Sequence, residues 1–391
     1  MISSWPLRKL GEVCDIVKDK PPKFGGTKAY YATGAINNNG HLKPEYIEYS
    51  NRPSRADSYP QIHDIGFAKM KLTKKVFQVN SELSESIFST GFCFLRVGKL
   101  LNSRYLFYFI FSEEFQSKKD FYAGSGIMGG IKNSDIANIE IPLPSLSEQK
   151  RIVKILDEVF EKTAKAQENT EKNLQNSREL FESYLQKVFT NTGKDWEEKR
   201  LKDIGQTQTG LTPATSNKKY YDNFIPFIKP ADVDVSRDGA IRYDNEGLSS
   251  AGLRVGRKIK KNSVLMVCIG ASIGKVGFSE VDVSCNQQIN TLTPASGYNP
   301  KFFYYAFRTK DFFTKVIKNS SQATLPIINK SKWENLQVAF PKTIKEQDVA
   351  AEKLDMLLAD TKKLEDNYEQ KLIEIGEFKK SILKMAFTNL L

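Results

Sequence analysis

The side chains of this chain that could do chemistry are mostly cations. Its 391 residues hold 58 Lys and Arg against 46 Asp and Glu, a formal net charge of +12. Residues 1–146 carry 19 basic and 14 acidic side chains, 147–194 carry 9 and 8, 195–342 carry 22 and 14, and 343–391 carry 8 and 10. The excess therefore sits on two stretches, and such a surface suits a polyanion, because neutralised phosphates release condensed counterions. A mildly basic surface with no partner is the alternative that charge alone leaves open. Groups for making and breaking bonds are scarce. There are two histidines, His41 and His63, where acid–base chemistry usually draws on that side chain. Neither Gly124-Ser-Gly-Ile-Met-Gly-Gly130 nor Gly270-Ala-Ser-Ile-Gly-Lys275 has the spacing of a phosphate-binding loop, no H-E-x-x-H occurs, and Asn299-Pro300 leads into Lys301 rather than a methyltransferase N-P-P-[FY]. Cys14, Cys93, Cys268 and Cys285 form no C-x-x-C pair, which argues against a disulfide framework or zinc and for buried reduced thiols. Binding is thus favoured over catalysis.

The elements that must carry these cations are written twice. Trp5-x-x-x-x-Leu10-x-Glu12-Val13 returns 191 residues later as Trp196-x-x-x-x-Leu201-x-Asp203-Ile204. Asn102–Phe115 matches Asn299–Phe312 at an offset of 197, and Glu148-Gln149 through Leu156-Asp157 matches Glu346-Gln347 through Leu354-Asp355 at 198, as does Phe189-Thr-Asn191 with Phe387-Thr-Asn389. That period is far too long for a solenoid, so a module of domain size is duplicated.

Residues 147–194 hold one long helix ending near 190. Val153, Phe160, Gln167, Leu174, Phe181 and Val188 recur every seven residues, with Leu156, Thr163, Thr170, Ser177 and Tyr184 between them, a coiled-coil seam. Pro144 bars an earlier start, and Ser145 or Ser147 can cap it, Ser145 with Glu148 as a capping box. Residues 343–391 repeat the device, with Ala350, Leu357, Leu364, Lys371, Phe378 and Met385 interleaving with Leu354, Thr361, Tyr368, Ile375 and Ile382. Each helix would be roughly 60 Å long at ~1.5 Å per residue. Antiparallel packing of the pair, with pseudo-twofold character and a globular domain at either end, is the simplest arrangement. The polar middle of the first seam weakens it but can fix register or leave a surface for another protein.

The stretches 1–146 and 195–342 differ in texture. Phe92–Val97, Ile225–Ile228 and Ser263–Ile269 are short apolar runs bounded by turn residues, and each copy has one aromatic amphipathic helix, Ser103–Phe115 and Pro300–Phe313. The expected fold is α+β: globular domains over 1–146 and 195–342 of mixed strands and helices, spacer helices over 147–194 and 343–391. No apolar run reaches the roughly 18 residues of a membrane span. The start Met1-Ile-Ser-Ser-Trp5-Pro lacks the pattern of a signal peptide. A cytoplasmic protein is expected.

These motifs resemble the DNA-specificity subunit of type I restriction–modification enzymes. The resemblance rests on the Trp…Leu openings, on Ile141-Pro-Leu-Pro144-x-x-Ser147-Glu148-Gln149-x-x-Ile152-x-x-x-Leu156-Asp157, and on its weaker copy Phe340-Pro341-x-x-x-x-Glu346-Gln347. Gly210-Leu-Thr-Pro213, Tyr220-Tyr221, Ile225-Pro-Phe-Ile228, Ser272-Ile-Gly-Lys275-Val-Gly and Asn286-Gln287-Gln288 look like a target-recognition domain of that family. The first copy has Pro21-Pro22 and Tyr30-Tyr31 but no Ile-Gly-Lys. The resemblance covers essentially the whole chain. It implies two target-recognition domains, each reading one half of a bipartite, asymmetric duplex-DNA site, and two helices that set the gap between the halves. It also implies a noncatalytic chain in a restriction system: two methyltransferase subunits dock on it, restriction/translocase subunits join, and S-adenosylmethionine, ATP and Mg belong to those partners. The alternative is a DNA-modifying enzyme, methyltransferase or nuclease, with its own active site.

Within that resemblance the candidate DNA contacts are Lys18, Lys20 and Lys23 around Pro21-Pro22, Arg52 and Arg55, and Lys71, Lys74 and Lys75. In the second copy they are Lys218, Lys219, Arg237, Arg242, Arg254, Arg257, Lys258 and Lys275. Most would meet phosphate, which positions without reading sequence. Asn37, Asn38, Asn39, Gln287 and Gln322 are the amides that could read adenine. Tyr30, Tyr31, Tyr220 and Tyr221 are read as core. The inner parts of the two domains have diverged where the frame has not, so the half-sites should differ.

Overall fold

Apolar runs bounded by turns, written twice, become the same strands twice. The structure, a computed structural model, describes residues 5–35, 43–124, 129–190, 193, 195–234, 239–321 and 325–391. The chain divides into two compact units, residues 1–170 with 370–391, and residues 171–369.

In the first unit Cys14–Ile16, Phe92–Val97, Ile65–Ala68 and Val76–Gln78 form an antiparallel sheet in that order. A second sheet runs Glu45–Glu48, Thr27–Tyr31, Ile87–Ser89 and Ala56–Ser58, its middle pair parallel. Leu7–Lys9 pairs with Glu140–Pro142. The second unit has the same orders: Gly205–Thr209, Ile289–Pro294, Ser263–Val267 and Val276–Ser279, then Gly247–Leu248, Tyr221–Ile228, Val283–Cys285 and Lys258–Ile259, with Trp196–Arg200 on Gln337–Pro341. The middle pair of its second sheet, Tyr221–Ile228 with Val283–Cys285, is again parallel. Registers correspond as well, since Ile65 faces Leu95 and Gln78 just as Val264 faces Leu292 and Phe278. Val264 to Val267 are wholly buried, which is why that strand reads as an unbroken apolar run instead of an alternation.

Each expected amphipathic helix is in fact two. Ser103–Phe111 ends at Ser112, whose Oγ accepts from Phe115 N at 3.3 Å and starts Glu113–Tyr122. Pro300–Phe307 gives way at Thr309, whose Oγ1 accepts from Phe312 N at 3.2 Å, to Lys310–Asn319. A hydroxyl that caps the next turn competes with continuing the helix.

The long helices run Leu146–Thr190 and Ile344–Phe387. In the first unit Ile152 and Leu156 share a core with Leu383, Ala386 and Phe387, and Lys379 Nζ donates to Gln167 Oε1 at 3.0 Å. In the second unit Phe181 and Leu185 share a core with Ala351 and Leu354, and Arg178 forks onto Glu365 and Glu369 at 2.9 Å each. Both pairings are antiparallel. The first helix uses the expected seam. In the second helix Leu354, Thr361, Tyr368, Ile375 and Ile382 face inward as expected, but Leu364, Lys371 and Phe378 are exposed. Their places are taken by Glu365, Leu372 and Lys379, one residue along, where Glu365 and Lys379 hide in the pattern because ion pairing and hydrogen bonding satisfy them. Buried Thr163, Thr170, Ser177 and Thr361 donate back to carbonyls of their own helix turn. Their hydroxyls are thus satisfied without a partner across the seam.

The repeated Asn, Gln and Asp explain how each long helix seats on its domain. Gln149 Oε1 accepts from Asn102 N at 2.8 Å, while its Nε2 donates to Leu100 O at 3.0 Å and Pro144 O at 2.9 Å. Gln347 Oε1 accepts from Asn299 N and its Nε2 donates to Pro341 O, both at 2.9 Å. Both glutamines are fully buried. About two turns on, Asp157 accepts from Tyr108 Oη at 2.6 Å and from Arg104 Nε at 2.9 Å, and Asp355 accepts from Tyr305 Oη at 2.6 Å and Lys301 Nζ at 2.7 Å. At the starts, Ser145 Oγ accepts from Glu148 N at 3.3 Å and Thr343 Oγ1 from Glu346 N at 3.4 Å. The Glu148 carboxylate turns to Arg151 rather than back to its own helix start. Phe387 packs on Tyr105 at 5.2 Å and Phe189 on Phe302 at 5.0 Å, so the C-terminal end of each long helix closes on the aromatic helix of the unit that holds it. Among the described residues no helix is long and apolar enough to cross a membrane.

Candidate nucleic-acid interface

In each unit one loop joins an inner strand of the first sheet to its edge strand, Ile65–Ala68 to Val76–Gln78, or Ser263–Val267 to Val276–Ser279. Three backbone contacts show that the loops correspond. Lys75 O accepts from Ala68 N as Lys275 O does from Val267 N, Gly91 O accepts from Lys69 N as Gln288 O does from Cys268 N, and bridges Met70↔Gly130 and Ile269↔Ile327 lie beside them. Lys75 is therefore the counterpart of Lys275, although the second loop is one residue longer and the two sequences share no Ile-Gly-Lys. Gly274 is required there: its φ is +90°, and a Cβ would come within 2.4 Å of the Phe313 ring.

In the first unit this loop borders a cleft of about 300 Å³ lined by Thr33, Arg55, Lys69, Met70, Thr90, Gly91, Gly130 and Ile131. Arg55 is exposed on its wall, and Lys75 Nζ donates to Thr33 O at 2.7 Å on the same rim. Lys71 Nζ donates to Gly124 O at 2.8 Å, and Lys74 pairs with Glu113 at 3.2 Å above the Phe111 ring. The Lys18–Lys23 loop approaches the second sheet, where Tyr59 N donates to Asp19 O, Lys20 pairs with Asp57 at 2.8 Å, and Arg52 stacks on Tyr49 at 4.1 Å. Lys18 and Lys23 are exposed. Sequence reading missed what holds this loop: Arg96 forks onto buried Asp64 and reaches Asp19, each at 2.9 Å. Those carboxylates, Asp64 foremost, raise the Arg96 pKa further above its ordinary value. Lys69 and Thr90 were missed too, because a single Lys and a single Thr on strand ends carry no sequence signal.

The second unit gathers Lys218, Lys219, Arg254 and Arg257. The turn Lys218–Tyr220 packs on the helix Ser250–Val255, with Ser249 Oγ donating to Lys219 O at 2.6 Å. Arg257 Nη1 donates to Thr209 O at 2.5 Å. Beside it the Gly210–Pro213 loop is tied down by Leu211 N to Cys285 O, Thr212 Oγ1 to Gln287 Oε1, and Tyr221 Oη to Pro213 O. A Cβ on Gly210 would meet Asn286 O at 2.1 Å, so only glycine fits. Lys258 pairs with Asp282 at 2.6 Å on the edge strand. Arg242 lies apart, its amide on Asp232 O. Both copies place Arg-x-x-Arg, Arg52–Arg55 and Arg254–Arg257, directly before the edge strand of the second sheet. Arg237, Gln322, Asn37, Asn38, Asn39 and His41 lie outside the described residues. Tyr30 and Tyr31 are buried, and Tyr220 and Tyr221 are partly so. No cluster of His, Cys, Asp or Glu fit for a metal occurs among the described residues. The four thiols are buried, which pushes each pKa up to about 12. The arrangement can hold a polyanion against cations whose side chains are anchored on backbone carbonyls.

The comparisons agree with this geometry. The model for the type I restriction modification DNA specificity domain matches twice, at residues 2–176 and 193–374. The MjaIX specificity subunit of Methanocaldococcus jannaschii is 27% identical over 190 residues, 46% of this chain and 43% of that protein. The HindI specificity subunit of Haemophilus influenzae is 29% identical over 150 residues, 38% of this chain and 32% of that protein. The matched stretch thus spans under half of either relative. Among solved structures, a chain from a type I R-M system, described in work on complex assembly and conformational transition, has a TM-score of 0.83 at 22% identity, covering 99% of this chain and 98% of that one. The HsdS subunit of Thermoanaerobacter tengcongensis has a TM-score of 0.64 at 21% identity, covering 99% and 97%. With both halves matched by one family model and the same strand order in each, this chain belongs to the type I restriction modification DNA specificity family.

Proposed function

We propose that this chain is the DNA-recognition subunit of a type I restriction–modification complex, each unit reading one half of a bipartite site. One observation carries the reading. The two units share strand order, registers, helix-seating Gln and Asp, and the Lys75/Lys275 loop, yet differ at the matched surface: Thr90 stands where the second unit has Gln287, and Leu72 lies in the loop where the other has Gly270 and Gly274. A shared frame with unlike contact surfaces fits a split site whose halves differ. Helices of 45 and 44 residues, about 65 Å long, suit a gap of well over one DNA turn.

The chain itself carries no catalysis in this reading. Methyltransferase subunits dock on the helices and domains and bring S-adenosylmethionine, restriction/translocase subunits bring ATP and Mg, and the assembly works in the cytoplasm. The test is duplex binding by the chain assembled with methyltransferase subunits, titrated with salt, and S-adenosylmethionine binding by the chain alone. Specific, steeply salt-dependent binding without cofactor uptake by the isolated chain is expected. Cofactor uptake would favour an enzyme with its own site, and absence of specific binding would end the proposal.

A further inference from the structure

We infer that Leu72 is an apolar wedge that enters between stacked bases in the half-site read by the first unit; this rests on the DNA-recognition reading above. Leu72 is 82% exposed, more than any other large apolar side chain described. It also sits at a φ of +57°, in the left-handed region where a bulky side chain is strained and glycine or asparagine would be at ease. Strain kept on an exposed leucine points to use of the side chain.

The turn is held rigid from beneath. Fully buried Lys119 donates through Nζ to Met70 O at 3.2 Å and to Thr73 O at 2.6 Å, one on each side of Leu72. Burial lowers the Lys119 pKa, and Asp120 offsets part of that. Leu72 N donates to Asp120 Oδ1 at 3.0 Å, and the Lys71 amide and ammonium donate to Gly129 O and Gly124 O. The isobutyl group is thereby presented to water at a defined place. Lys71, Lys74 and Lys75 lie within three residues of it, and Met70, two residues back, lines the Arg55 cleft. Cations that can hold the two phosphate chains, around an apolar tip on a fixed base, are what prying open a base step requires. The matching loop of the second unit has Gly270 and Gly274 at positive φ and presents no such tip. Unstacking should therefore occur in one half-site only.

The experiment uses the full chain assembled with methyltransferase subunits, on duplexes carrying its methylation site with 2-aminopurine walked through every position. Apart from positions that the methyltransferase subunits brighten by extruding their target base, which do not depend on Leu72, the wild-type complex should brighten one step in one half. Leu72→Ala and Leu72→Gly should abolish that signal and weaken specific binding roughly fivefold to tenfold with the salt slope unchanged. Both variants alter an exposed side chain, and glycine relaxes the turn, so folding is preserved and is checked by melting. Specific binding with no brightened step, or a signal that survives in Leu72→Ala, overturns the wedge while leaving the recognition reading intact. A wild-type complex that binds no duplex specifically overturns both.

Discussion

Replacing Gln149 with alanine removes the contacts that seat the first long helix on its domain, and the cost can be worked from them. The side chain makes three hydrogen bonds, to Asn102 N, Leu100 O and Pro144 O, and is fully buried. Each hydrogen bond lost costs about 1 kcal/mol, so Gln149→Ala should lose about 3 kcal/mol. For a unit of this size that lowers the melting temperature by about 6–12 °C. Gln347 makes two such bonds, so Gln347→Ala should lose about 2 kcal/mol by the same arithmetic. Gln149→Glu gives a sharper contrast. A carboxylate there would face the Leu100 and Pro144 carbonyls with nothing to donate, and burial would raise its pKa above the unfolded value. The variant should be less stable than Gln149→Ala at neutral pH and recover as pH falls and the acid protonates. Differential scanning calorimetry between pH 5 and 8 measures all three. A Gln149→Ala protein that melts within a degree or two of the parent, or a Gln149→Glu protein whose stability rises with pH, would refute the seating role.

Three further outcomes follow from single contacts. Because burial pushes all four thiols up to about 12, the native chain should show almost no reaction with a chromogenic disulfide at pH 8, while denaturant should expose every cysteine. Gly274→Ala should destabilise the second unit by a few kcal/mol, since the added methyl meets the Phe313 ring at 2.4 Å in a left-handed turn; urea unfolding measures it. Lys330, then Thr207, holds the Glu334 carboxylate below its ordinary pKa. Its folded value being depressed, that stabilisation is present above the ordinary carboxylate pKa and is lost as pH falls through the folded value, so Glu334→Gln should flatten the acid limb of the stability curve.

Much of the frame was legible because repetition and periodicity report it. The helix from Leu146 begins one residue before the expected start, and the repeated Asn, Gln and Asp mark the contacts that seat it. What escaped was set by partners distant in sequence. One line of the second helix's seam lies one residue from its expected place, since Leu364 and Phe378 are apolar yet exposed, whereas Glu365 and Lys379 face inward only because Arg178 and Gln167 receive them. The break at Ser112 was hidden by the aromatic run across it. The match of Lys75 with Lys275 was concealed by a one-residue insertion and appears only through shared backbone contacts. Arg96 and Lys119 look like ordinary surface cations in sequence, yet one anchors the Lys18–Lys23 loop and the other the Leu72 turn.

Sequencing modified bases across the host genome, with the gene present and deleted, probes the two-reader arrangement most directly. The expected result is one methylated motif, present only with the gene, made of two unlike blocks separated by a gap of fixed length and free sequence. Exchanging residues 195–342 for those of a relative should change one block and leave the other. A continuous motif, two identical blocks, or no gene-dependent methylation would contradict it.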